Sequence, residues 1–168
     1  MSSDIFKRAG LFIAFALAQA LVLGRIHLFG CATPLFYVYF VLLFPRNYPK
    51  WGVLLWSFAL GLIVDMFYNT PGMAAASMTL IGAIQPYYFE MFISRDAAEN
   101  LQPSMDNIGW VKYFYYSLVL VIIYCLVFFT LDVFTFYNWL EWIKCVVGSS
   151  AITLLMILTF ETVRGRQE

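Results

Sequence analysis

The sequence predicts an all-α integral membrane protein with about six transmembrane helices. Three observations carry that prediction. Hydrophobic residues make up 62% of the 168 residues and charged residues 12%, against about 25% charged in an ordinary soluble domain. Such a chain has too little polar surface to cover a soluble globule of its size, and lipid is the natural solvent for the excess. The apolar residues also fall in long runs near the roughly 20 residues that cross a bilayer as a helix. The cationic residues, finally, gather between alternate runs.

Taken in order, the expected helices cover about 9–24, 28–44, 51–68, 73–93, 112–134 and 139–163, forming a single domain over 1–168. The first carries no charge from Ala9 to Gly24. Lys7 and Arg8 precede it and Ala18-Gln19-Ala20 has the form of a leader cleavage site. The run continues through Leu21-Val22-Leu23, however, so a retained helix is expected. The second run, about Cys31 to Phe44, opens near Pro34 and closes at Pro45. It is short for a span. Either it borrows Ile26 to Phe29, or it is a tilted or partly re-entrant element.

Two prolines in Phe44-Pro45-Arg46-Asn47-Tyr48-Pro49-Lys50 make a polar turn before the third helix, and Asn69-Thr70-Pro71-Gly72 marks another after it. Pro86 should kink the fourth helix or end its straight part. Ser94 to Gly109 is the one extended polar stretch. Trp110, Tyr113, Tyr115 and Tyr116 open the fifth helix, Trp139 and Trp142 open the sixth, and Tyr87 and Tyr88 approach the end of the fourth. All are read as interfacial belt residues.

Cytoplasmic loops are enriched in Lys and Arg. With the N-terminus inside, that side collects Lys7, Arg8, Arg46, Lys50, Arg95, Lys112, Arg164 and Arg166, and the other side only Arg25 and Lys144. Both termini are therefore expected in the cytoplasm. The net charge of zero excludes a broad basic nucleic-acid surface.

A catalytic inventory is lacking. His27 is the single histidine, with no cysteine or carboxylate at metal-ligand spacing. No nucleophile elbow, glycine-rich phosphate loop or zinc-protease motif occurs. No catalytic residue, metal or cofactor is assigned. Cys31, Cys125 and Cys145 form no C-x-x-C pair and read as small apolar residues.

The informative charges are Asp65 and Asp132, each near the outer end of a helix. An Asp at bilayer depth costs about 2.5–3.5 kcal/mol on insertion scales, and such residues usually turn inward to a partner. Gly61, Asp65 and Asn69 share one helical face, with Gly61 allowing a neighbouring helix close to Asp65. Arg25, His27, Lys144 and the amides near Thr70 to Gly72 are the candidate donors, with Arg25 or those amides the expected partner of Asp65; the plainer reading is an Asp reaching for the interface. Small-residue ridges occur at Ala14-x-x-x-Ala18 and Ala16-x-x-x-Ala20, at Ala74-Ala75-Ala76-Ser77, and at Ser149, Ser150 and Thr153. They serve contact within the chain or with another protein. Glu141 and Lys144 are spaced as an ion pair, and Glu90 and Glu161 read as solvated interface residues.

Gly61-Leu62-Ile63-Val64-Asp65, followed by Thr70-Pro71-Gly72, resembles the G-x-x-x-D…T/P-x-G signature of the MreD family of rod shape-determining proteins. Pro34 at the start of the preceding run and Pro45-Arg46 at its end fit the same pattern, as do length and helix count. The resemblance implies a non-enzymatic scaffold of bacterial cell-wall elongation, in the inner membrane. It implies binding to MreC, and through it a link to MreB filaments, the RodA glycosyltransferase and a penicillin-binding transpeptidase. It also implies a fold similar to the substrate-binding component of energy-coupling-factor transporters. Gly61, Asp65, Thr70, Pro71 and Gly72 would then be structural or interaction residues. The competing expectation is a vitamin-uptake subunit of such a transporter, which would need a polar pocket opening outward.

Overall fold

The computed structural model describes residues 2–21, 33–70, 72–93, 101–133 and 139–164. Among these the chain forms seven helices: α1 (Ser2–Leu21), α2 (Val38–Leu42), α3 (Lys50–Tyr68), α4 (Met73–Glu90), α5 (Met105–Ile108), α6 (Trp110–Val133) and α7 (Trp139–Arg164). No strand occurs among the described residues. Three helices, α3, α6 and α7, are long and apolar enough to cross a membrane. This is the make-up of an all-α membrane protein.

Helix α3 starts one residue before the expected 51 and ends at the expected 68, while α6 and α7 match 112–134 and 139–163 to within two residues at each end. The α4 helix runs through Pro86 and stops at Glu90, short of the expected 93, with Met91 and Phe92 in turns. The first helix begins earlier than expected, at Ser2 rather than Ala9, because nothing in Ser2 to Arg8 breaks a helix.

The second expected helix, 28–44, is corrected most. Residues 28–32 lie outside those described, and of the rest only five residues are α-helical. Thr33 to Leu35 take no regular secondary structure, and the chain enters α2 through tight turns, with Val38, Tyr39 and Phe40 amides donating to the Leu35, Phe36 and Tyr37 carbonyls. Every residue from Pro34 to Leu42 is buried. This segment is the centre of the bundle rather than a wall of it, consistent with the re-entrant alternative.

Backbone that leaves the helical pattern at such depth must find other partners. Here four polar side chains supply them. The Thr33 amide donates to Ser149 Oγ at 3.2 Å and the Leu35 amide to Thr153 Oγ1 at 3.0 Å, both on α7. Gln19 Nε2 of α1 donates to the Pro34 carbonyl at 3.0 Å, and Gln85 Nε2 of α4 to the Phe44 carbonyl at 3.2 Å. Tyr37 pairs through its hydroxyl with Tyr124 of α6, and Tyr39 donates to Glu161 of α7. Phe36 and Tyr39 stack, and both meet Phe160 edge-on.

Contacts at the helix ends sort the molecule into two poles. At one, the Arg8 guanidinium lies 4.6 Å from the Tyr48 ring centre, Lys50 Nζ lies 4.0 Å from that of Tyr87, the Arg46 amide donates to the Leu101 carbonyl, and Arg164 donates to Gln102. The start of α1 and the end of α7 therefore share this basic pole. At the other, the Tyr68 hydroxyl donates to the Gln19 carbonyl, joining the far ends of α1 and α3.

Candidate functional site

The site develops at the second pole, where α3 turns into α4. Helix α3 ends on Asn69 in the left-handed region, φ 56° and ψ 35°, and the Asn69 amide folds back onto the Asp65 carbonyl. The Thr70 amide donates to the same carbonyl at 3.1 Å. That second bond spans six residues, as in the glycine-type closures of helix C-termini, with Asn in the place of Gly. Gly72 then takes φ 82° as the residue capping α4, a conformation that a Cβ would strain.

A glycine cap has no side chain to offer the first free amides of α4. Asp65 offers one from the preceding helix. Its Oδ1 accepts from the Thr70 hydroxyl and the Ala74 amide, each at 2.9 Å, and its Oδ2 accepts from the Ala75 amide at 2.9 Å. The carboxylate is 5% exposed. Asp65 lies near the negative end of α3, an unfavourable place for a carboxylate, which is offset because the side chain faces the positive N-terminal end of α4.

Gly61 makes the approach feasible. A Cβ built at Gly61 would lie 2.5 Å from the Ala75 Cα and 2.7 Å from the Ala74 carbonyl oxygen and the Ala75 nitrogen. All three are backbone atoms, which cannot swing aside. One helical turn from Asp65, Gly61 thus lets the α4 backbone lie directly on α3. Ala74, Ala75 and Ser77 are buried on this seam, and Ser57, a further turn down, meets Gly82.

Four of the five motif residues, Gly61, Asp65, Thr70 and Gly72, are therefore brought together as one clasp. Pro71 lies outside the described residues. The amides that bond Asp65 sit two to three residues beyond the expected Thr70 to Gly72, because the free donors belong to the second and third positions of α4 rather than to the turn. Arg25 and His27 lie outside the described residues, as does Cys31. Asp132 and Lys144 are exposed on α6 and α7, as is Glu141.

Beside the clasp, on the outer surface of α3 and α4, an open apolar groove of about 650 Å³ is lined by Phe58, Leu62, Gly72, Ala75, Ala76, Thr79, Leu80 and Ala83. Gly72, Ala76, Thr79 and Ala83 recur at helical spacing, so the floor is shallow and the walls are Phe58, Leu62 and Leu80. Thr79 spends its hydroxyl on the Ala75 carbonyl at 2.6 Å. The lining therefore offers shape rather than hydrogen bonds.

Several expectations about single side chains are corrected. Glu161 is 2% exposed and bonded to Tyr39, not solvated. Glu90 is exposed, as expected. Tyr113 and Tyr116 are fully buried rather than interfacial; Tyr116 accepts from Gln85 at 3.0 Å. Trp110, Tyr115, Tyr87 and Trp139 are exposed, in keeping with a belt. On α1 only Ala16 of the described ridge residues is buried, and Ala14 faces out. Cys125 is buried and Cys145 half-buried, and the two form no disulfide. Gln19, Gln85, Ser149 and Thr153 were not anticipated as supports for the central segment; isolated amides and hydroxyls in apolar helices were the available signal.

Among the described residues no group of three His, Cys, Asp or Glu gathers as a metal set. No family model, curated protein or solved structure matches this chain.

Proposed function

We propose that this chain is a non-enzymatic scaffold of the MreD type, an inner-membrane component of the bacterial cell-wall elongation machinery. In this reading it crosses the membrane about six times with both termini in the cytoplasm. It binds MreC, and so connects MreB filaments with RodA and its transpeptidase partner. The observation that carries the reading is the use made of the motif. Gly61, Asp65, Thr70 and Gly72 spend their chemistry on one another and on the α4 backbone. Nothing in the clasp is left to perform a reaction; its product is a rigid helix pair of fixed spacing.

The apolar groove beside the clasp supports the same reading. Its small-residue floor has the form that lets a second transmembrane helix approach closely in lipid. A clasped α3–α4 pair holds that floor flat.

The test is co-purification of the full chain from its native membranes, with mass spectrometry of bound proteins and small molecules. Recovery of MreC and wall-synthesis proteins is expected. Recovery of a transporter ATPase module or a vitamin instead would refute the scaffold in favour of an uptake subunit. Ala76→Leu and Ala83→Leu, which fill the groove from exposed positions, should cut MreC recovery several-fold while leaving the melting temperature of the purified chain within a degree or so. Undiminished recovery would remove the groove from the proposal.

A further inference from the structure

The apolar groove on the outer face of α3 and α4 continues beyond its lining residues towards the basic pole. On α4, Leu80, Ala83, Tyr87 and Glu90 follow at three- and four-residue spacing and all are exposed, so they form one stripe. Leu80 and Ala83 line the groove, and Tyr87 and Glu90 extend its line. On α3 the matching stripe is Trp51, Leu55 and Phe58, also exposed, with Phe58 in the groove wall. Lys50 joins the two stripes at the basic end. Its Nζ lies 4.0 Å from the centre of the Tyr87 ring, a cation–π contact that holds the ammonium on the α4 side of the valley.

The valley is thus apolar along its length and charged at one end only. There it meets a cation, Lys50, and an anion, Glu90, one turn beyond the ring that Lys50 touches. Trp51 and Tyr87 flank them, and rings of this kind settle at headgroup level. Ala76, which also lines the groove, stands eleven residues before Tyr87, about 16 Å along the helix. That is close to half of a hydrocarbon core of about 30 Å, the depth of one leaflet. The two charges narrow the choice of headgroup. Lys50 attracts a phosphate, whereas Glu90 repels one unless the same headgroup also carries a cation. A primary ammonium supplies both the charge and N–H donors for the carboxylate.

We propose that this valley binds a phospholipid with a zwitterionic headgroup of the phosphatidylethanolamine type. Its phosphate meets Lys50, its ammonium meets Glu90, and one acyl chain lies along Leu55, Phe58 and Ala83. The chain stops short of the far end of the groove at Gly72, so the lipid site stands whatever protein docks beside the clasp.

The test reads headgroup choice. The purified full chain is reconstituted with equal amounts of phosphatidylethanolamine, phosphatidylglycerol and phosphatidylcholine of identical acyl chains, and the lipids it retains are counted by native mass spectrometry. Phosphatidylethanolamine is expected to exceed each of the others several-fold. Lys50→Ala should lower its retention several-fold. Glu90→Gln should bring phosphatidylglycerol level with it or above it, because the repulsion of an anionic headgroup goes with the charge. Both positions are exposed, and unchanged melting of the variants checks that they fold as the wild type does. A wild-type chain that retains the three lipids equally, retains none, or prefers phosphatidylglycerol would overturn the proposal. So would a Lys50→Ala variant with undiminished retention, or a ranking that Glu90→Gln leaves as it was.

Discussion

Asp65 is the residue on which the α3–α4 turn depends, and its substitutions separate by how many acceptors they leave. Asp65→Ala removes every acceptor from the Thr70 hydroxyl and the Ala74 and Ala75 amides at once. It should lower stability by about 3 kcal/mol or more, since two of the orphaned donors are buried. Asp65→Asn keeps one carbonyl oxygen and loses the charge that faces the α4 N-terminus, which should cost about 1–2 kcal/mol. Unfolding of the purified chain in detergent, followed by circular dichroism, ranks the two; equal losses would mean that the hydrogen bonds are not what holds the turn. Gly61→Ala should be at least as severe as Asp65→Asn although it adds a single methyl. The clash is with α4 backbone, and the helices must part to relieve it, at about 1–3 kcal/mol or more. Measured stability equal to wild type would show that the seam is looser than these distances imply.

At the scale of elements the central segment, residues 33–44, is the unusual part. It is apolar enough to read as a helix, and its sequence suits one except at Pro34 and Pro45. What keeps it short is the packing of α1, α4 and α7 round it, whose four polar side chains satisfy the backbone that a longer helix would have satisfied internally. Thr153→Val tests this, because the replacement has the same shape and lacks the hydroxyl. It leaves the Leu35 amide without its acceptor, and a loss of about 1–3 kcal/mol is expected. A neutral Thr153→Val would mean that the segment finds another partner. Ser150→Ala, whose hydroxyl bonds only within its own helix at the Val147 carbonyl, should by contrast be close to neutral. The α1 helix and the α3–α4 pair flank this segment, and Phe15, Phe36 and Tyr39 form an aromatic cluster between α1 and the segment.

Across the whole molecule, charge follows the two poles. Among described side chains, the cations Arg8, Arg46, Lys50, Lys112 and Arg164 belong to the pole where α1 and α3 begin and α7 ends, together with Glu90, Asp106 and Glu161, while Lys144 is the one described cation at the pole where α3 and α6 end, with Asp65, Asp132 and Glu141. In the proposed topology, following the positive-inside rule, the basic pole would face the cytoplasm. Cytoplasm-active and periplasm-active reporters fused to the two termini should both report the cytoplasmic side. Opposite readouts from the two would mean an odd number of crossings and would remove the proposed topology.

How far the residues alone reach differs from place to place. The α3, α6 and α7 helices were legible because each is a long apolar run with turn residues or charges at its ends, a local property of composition. The Gly61 and Asp65 pairing was legible as well, since four-residue spacing on a helix places two side chains on one face whatever surrounds them. That Asp65 should address the α4 amides was open, because a carboxylate at a helix end accepts any donor in range, and only the relative placement of two helices selects one. Glu161, Tyr113 and Tyr116 were misread as interfacial for a related reason. Depth along a helix is local, but facing inward or outward depends on neighbours, and in a chain so uniformly apolar the polar face that would mark the outside is missing. Composition by itself determined a membrane-embedded helical protein and most of its segment ends. The tertiary arrangement decided what fills the centre, because burial of a non-helical segment requires hydrogen-bond donors and acceptors from residues more than a hundred positions away in the chain, and no local pattern can encode that distance.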